Sequence, residues 1–124
     1  MTNFTDTQLD EITNVLKALA HDVRLKLMRT LLENGEKSVG ELETMTGVGQ
    51  PGLSQQLAIL RKADLVQTRR EAKLVFYSLA PDNLESTAKL LCALGGVSTR
   101  DMQSEIRSPR HRAGGSAATF AKII

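Results

Sequence analysis

"TGVGQPGLSQQLAILRKADLV", Thr46 to Val66, decides how this chain is read. Leu53, Leu57 and Leu60 fall at i, i+4 and i+7, one apolar stripe along a helix. The approach to that helix holds Gly47, Gly49, Pro51 and Gly52, all poor helix formers. Gly52 alone costs about 1 kcal/mol relative to Ala if it lies inside the helix. The opposite face carries Gln50, Ser54, Gln55 and Arg61. A helix begun at such cost, with that polar face, calls for a reason outside its own stability.

The neighbouring segments supply a frame. Leu9, Ile12, Leu16 and Leu19, widened by Val15 and Ala18, predict a first helix from about Thr7 to Ala20. A second follows from Asp22 to about Asn34, apolar over much of its circumference and so expected to be the most buried, with Gly35 as its stop. "SVGE", Ser38–Glu41, has the form of a capping box. It predicts a short third helix, Val39 to about Thr46, burying Val39, Leu42 and Met45 and closed by Gly47. The quoted helix then runs to about Ala63, with Pro51 harmless in its first turn.

After it, Val66 and Thr68, then Val75, Tyr77 and Leu79, alternate with other residues and predict a β-hairpin with a charged tip, Arg70–Lys73. Ala72 is not the Gly that a two-residue turn favours, so a longer loop is expected. "DNLE", Asp82–Glu85, is a second capping pattern and opens a helix to about Leu94, ended by Gly95-Gly96. A short capped helix, a glycine-containing turn, a longer amphipathic helix and a hairpin in that order are a winged helix-turn-helix. The expected fold is mainly α, about five helices with a two-stranded wing, in residues 1–97; residues 98–124 read as a basic, flexible tail.

In this motif the start of the second helix enters the major groove, and small residues there admit a close approach to phosphates. Gln50, Ser54, Ala58 and Arg61 share one face, with Gln55 beside them. Gln can bond adenine N6 and N7 together, and Ser several base edges. A solvated surface is the ordinary reading of a charge run. Here, however, Arg61, Lys62, Arg69, Arg70 and Lys73 fall at the end of that helix and along the wing, against only Asp64 and Glu71. Residues 1–97 hold 11 basic and 12 acidic side chains with this cluster included, so the excess of positive charge is local. Double-stranded DNA is the partner it suits. A winged-helix scaffold that binds only protein is the alternative, and would not need that cluster.

"LKALAHDVRLKLMRTLL" and "SVGELETMTGVGQPGLSQQLAILRKADLVQTRREAKLVFYSLAP" together resemble the ArsR/SmtB family of bacterial winged-helix repressors over roughly 80 positions. The resemblance implies a homodimer built on the first and last helices, which points to Leu9, Ile12, Leu16, Leu84, Leu91 and Leu94 as its interface. It also implies repression by operator occlusion. Where relatives commonly carry Ser and Ala or Thr, this chain has Gly49 and Gly52.

Metal-sensing members place cysteines at the start of the third helix, or Asp and His along the last. This chain has Ser38–Glu41 in the first place and no His in "DNLESTAKLLCALGG". No metal or other cofactor is expected. "SVGEL" and "TRREAKLVFYSL" look most like the persulfide- and redox-sensing subgroup, whose members pair a cysteine in the second helix with one in the last. The one cysteine here, Cys92, has no such partner in its own chain. It is either a small packed hydrophobe or a single-cysteine sensor, and a regulator without any inducer is a third reading.

Other classes find little support. No apolar run approaches the roughly 20 residues of a membrane span. "MTNFTDTQLDE" lacks the basic and apolar regions of a signal peptide, and one cysteine suits a reducing cytoplasm. No catalytic constellation is evident, so an enzyme is not expected.

Overall fold

The computed structural model describes residues 4–97. The expected tail, 98–124, lies outside the described residues. The chain divides after Thr87 into two compact units.

The first unit is built on short, well-capped helices. α1 spans Asp6–Leu19. Its N-cap is Thr5, whose hydroxyl accepts from the Gln8 amide at 3.1 Å while Gln8 Oε1 accepts from the Thr5 amide at 2.9 Å. This capping box lies ahead of the apolar periodicity that marks the helix, and it starts α1 one residue before Thr7. α2 spans Asp22–Asn34 and is capped by His21, whose Nδ1 accepts from the Val23 amide. Gly35 ends it at φ +79°, a left-handed value that costs glycine little. β1 is the pair Lys37–Ser38, and α3 spans Val39–Thr46. The Ser38–Glu41 capping box forms as its spacing implies, with bonds of 3.2 and 2.9 Å. α4 spans Gly52–Lys62, β2 Val66–Glu71 and β3 Leu74–Leu79. A 3-10 turn, Pro81–Leu84, leads into α5, Glu85–Leu94.

The core is aliphatic. Leu27, Leu42, Leu53, Leu57, Leu60 and Leu65 are fully buried and draw on α2, α3, α4 and the start of the hairpin. Burying each such side chain contributes roughly 1.5–3 kcal/mol. α4, rather than α2, covers its apolar stripe most completely. On α2, Leu27, Met28 and Leu31 are buried, but Leu25 and Leu32 are 52% and 54% exposed. An 8-residue α3 cannot shield both sides of its neighbour, so the excess apolar circumference of α2 faces solvent. Met45 is likewise exposed, and Thr46 is buried in its place with its hydroxyl donated to the Leu42 carbonyl.

Three further expectations change. The sheet has three strands in the order β1-β3-β2, because Lys37 and Ser38 pair with Tyr77 and Phe76. A two-residue strand leaves no periodicity to read. The hairpin turn is the tight pair Ala72-Lys73, with Glu71 opposite Leu74 and Ala72 held at φ +56°. The Asp82–Glu85 pattern does not cap: the 3-10 turn follows Ala80 without a side-chain cap, and Asn83 instead donates to the Asp64 carbonyl at 2.8 Å.

In the second unit, Ala88–Leu94 completes α5. Leu91 and Leu94 are exposed along it, and Cys92 is half-buried.

Candidate nucleic-acid interface

The turn between α3 and α4 is made by the glycines that looked unfavourable for a helix. Gly47 closes α3 at φ +76°. Leu53 then donates to the Gly49 carbonyl at 2.9 Å, and α4 begins with Pro51 as its N-cap residue. Proline offers no capping side chain, and the Gln50 side chain takes over that role. Its Oε1 accepts from the Ser54 amide at 3.2 Å and from the Ser54 hydroxyl at 2.7 Å. One of the amides left open at a helix start is thereby satisfied. A Cβ added at Gly49 or Gly52 would meet nothing within 4 Å. Neither glycine is needed for packing inside the protein, so the space they leave open faces outward.

Burial separates the two faces of α4. Leu53, Leu57 and Leu60 are buried, while Gln50, Ser54, Gln55, Ala58 and Arg61 are exposed together with Lys62. Gln56, on the flank, has a different partner. Arg24 of α2 donates to Gln56 Oε1 at 2.8 Å and also reaches the Ala18 and Lys17 carbonyls at the end of α1. Those carbonyls have no partner within their helix, and a guanidinium is well suited to them. Arg24 thus ties α4 to the α1–α2 corner. Its sequence neighbours gave no sign of this, since the bonded residues lie 6, 7 and 32 positions away.

α4 ends without a glycine. Asp64 takes the left-handed position at φ +60°, Leu65 donates to the Leu60 carbonyl and Asp64 to that of Arg61. This is a Schellman ending, with Asp in the place glycine usually fills. It turns the chain directly into the wing.

The wing does not present all of its basic residues alike. Arg69 donates to both carboxylate oxygens of Glu36, at 3.0 and 2.8 Å, and to Glu71 at 3.2 Å. Its guanidinium carbon also lies 4.9 Å from the centre of the Phe76 ring, opposite it in the strand register. These bonds hold Glu36 below the usual carboxylate range and raise Arg69 further above its own. Arg69, expected as a phosphate contact, is therefore already committed within the protein. The adjacent residue Arg70 points to the opposite face of the strand. Among the described residues, Arg70, Lys73, Arg61 and Lys62 have no ion-pair partner.

The expected dimer contacts also divide. Leu9 and Leu16 are partly exposed on α1, and Leu91 and Leu94 on α5. Ile12 is only 2% exposed and so already covered within the chain, while Leu84 is partly buried against the core. Among the described residues, no group of three or more His, Cys, Asp or Glu could hold a metal ion.

The model of the "bacterial regulatory protein, arsR family" matches residues 21–68, from the cap of α2 into β2. The "Biofilm growth-associated repressor" of Agrobacterium fabrum is 51% identical over 87 residues, covering 67% of this chain and 74% of that protein. The chain belongs to the ArsR family. It is 54% identical to the protein of the same name from Xylella fastidiosa over 74 residues, which span 60% of this chain and 64% of that relative's length. Among solved structures, HlyU from Vibrio cholerae superposes with a TM-score of 0.62 at 40% identity, covering 73% of this chain and 97% of that one. The family match runs through the α3–turn–α4 segment and the first residues of the wing. No helix among the described residues is long and apolar enough to cross a membrane.

Proposed function

We propose that this ArsR-family chain is a sequence-specific DNA-binding transcriptional regulator, a repressor by operator occlusion. It acts as a homodimer on a pseudo-palindromic operator in the cytoplasm. The observation that carries this reading is the exposed face of α4 beside the wing cations Arg70 and Lys73, which have no ion-pair partner among the described residues. Gln55 is the free base reader, while Gln50 and Ser54 form one bonded unit that presents the Gln50 amide group outward. Arg61, Lys62, Arg70 and Lys73 hold phosphates, and Arg69 braces the wing that carries two of them. Leu9, Leu16, Leu91 and Leu94 supply apolar surface for dimerisation, with residues 1–97 as the functional domain and 98–124 as an appended tail. The protein performs no catalysis and uses neither metal nor other cofactor.

A two-fold dimer sets two α4 helices about 34–36 Å apart on successive major grooves. If each protomer neutralises three or four phosphates, log affinity falls with log salt at a slope of roughly −5 to −7. Titration of a duplex spanning the chain's own promoter, at several salt concentrations, tests this. A specific complex with that slope supports the regulator. Binding to no duplex, with a stable dimer retained, supports a protein-interaction scaffold. Repeating the titration after a persulfide donor, with Cys92→Ser as control, separates a sensing thiol from a packed one.

A further inference from the structure

Gln50, Gln55 and Gln56 lie at the start of α4 or within it, and the structure leaves each a different capacity for hydrogen bonds. Gln56 Oε1 accepts from Arg24. Gln55 is exposed, and its side chain makes no bond among the described residues, so its oxygen and its amino group both remain for a partner. Gln50 is exposed as well, but its Oε1 already accepts from the Ser54 amide at 3.2 Å and from the Ser54 hydroxyl at 2.7 Å. A carbonyl oxygen has two lone pairs, and both are taken here. The orientation of the Gln50 amide follows from its partner. A backbone N–H can only donate, so the atom it meets is the oxygen, and Nε2 occupies the other position. Nε2 itself donates to nothing among the described residues. Gln50 thus offers two N–H donors outward and no acceptor.

Base edges in the major groove differ in this very property. Guanine O6 and thymine O4 are keto oxygens that accept, whereas adenine N6 and cytosine N4 are amino groups that donate. The pairing of Gln with adenine needs both halves of the side chain, the oxygen for N6 and the amino group for N7. Gln55 can form it. Gln50 cannot, because its oxygen is occupied. We infer that Gln50 determines specificity by reading the keto oxygen of a guanine or thymine, and that Ser54 is the positioning residue that imposes this choice. Facing an amino group, Gln50 sets donor against donor. To present its oxygen instead, it must give up both bonds to Ser54. That leaves an amide at the helix start unmet, since Pro51 has no capping side chain.

This assignment rests on the DNA-binding reading, and the experiment separates the two. Full-length protein first selects duplexes from a randomised library, as the parent, as Gln50→Glu and as Ser54→Ala. Gln50→Glu keeps an oxygen for the Ser54 bonds but exchanges the outward donors for an acceptor, so it marks the base pair that Gln50 meets. Every pair carries one keto and one amino group in the major groove, and base analogues tell them apart. The keto oxygen is deleted with 2-aminopurine for guanine or 5-methyl-2-pyrimidinone for thymine. The amino group is deleted with purine for adenine or 2-pyrimidinone for cytosine. In direct titrations, keto deletion weakens parent binding by about fivefold or more, and amino deletion does so by clearly less. Gln50→Glu reverses the order. Ser54→Ala retains the amide bond but frees one lone pair of Gln50, so adenine in place of the keto base is tolerated on that strand. The selected base itself distinguishes guanine from thymine. Greater loss from amino than from keto deletion in the parent, or no base pair altered by Gln50→Glu, overturns the keto assignment while the DNA-binding reading stands. A Ser54→Ala variant that rejects adenine as sharply as the parent overturns the positioning role. A parent that enriches no sequence defeats the DNA-binding reading, and the assignment falls with it.

Discussion

Gln50 caps the helix that it also presents: its side-chain oxygen accepts from both the amide and the hydroxyl of Ser54, at 3.2 and 2.7 Å. With Pro51 at the N-cap position, no other side chain among the described residues performs this task. Gln50→Ala should therefore cost stability as well as DNA affinity, on the order of 1 kcal/mol for loss of a helix cap. Urea denaturation measures the first effect. Ser54→Ala keeps the bond to the backbone amide and should cost clearly less. Equal losses from the two variants would show that the capping bond contributes nothing.

Gln55 and Arg70 divide the proposed recognition between base and backbone. Gln55 is exposed beside the Gln50–Ser54 pair, and Arg70 has no partner in its own chain among the described residues. Gln55→Ala should reduce affinity for the operator by about 1–3 kcal/mol and leave binding to random duplex unchanged. Arg70→Ala should weaken every duplex alike and lower the salt slope by about 1. Competition titrations at two salt concentrations distinguish these patterns, and the reverse result would exchange the two roles.

Arg69 and Glu36 link the wing to the segment after α2. Arg69→Ala should lower DNA affinity through a loosened wing, so Glu36→Gln should do so in the same direction even though it removes a negative charge. A direct phosphate contact by Arg69 would instead make Glu36→Gln bind more tightly. The pair also gives acid sensitivity of known sign. Glu36 titrates below its ordinary value of 4.5 because Arg69 donates hydrogen bonds to its charged form. Its contribution to stability is thus present above that value and lost as pH falls through the lowered one. Thermal unfolding followed below pH 5 should show a shallower decline for Glu36→Gln than for the parent.

Ala72 stands at φ +56° in the two-residue turn of the wing. That conformation costs an L-residue roughly 1–2 kcal/mol, and glycine far less. After the greater chain entropy of unfolded glycine is subtracted, Ala72→Gly should stabilise the protein by about 0.5–1 kcal/mol. Equilibrium denaturation checks the value. Destabilisation would mean that the Ala72 methyl makes a contact that outweighs the backbone strain.

The order of elements was legible in the sequence because each signal is local. Leu53, Leu57 and Leu60 mark a helical face, Ser38 and Glu41 close a capping box over three residues, and Gly35 and Gly47 stop helices by their own conformational freedom. The exposed face of α4 followed from the same periodicity. Only the tertiary structure decided which polar residues are free. Arg69 and Glu36 are 33 positions apart, and Arg24 and Gln56 are 32 apart, so no neighbouring residue announces either bond. Packing within the chain covers Ile12 and part of Leu84, whereas Leu9 and Leu16 stay partly exposed on the same apolar stripe of α1. The third strand and the tight turn at Ala72 have the same origin. Periodicity records which face of an element is apolar, but the chain's closure on itself determines what each face meets.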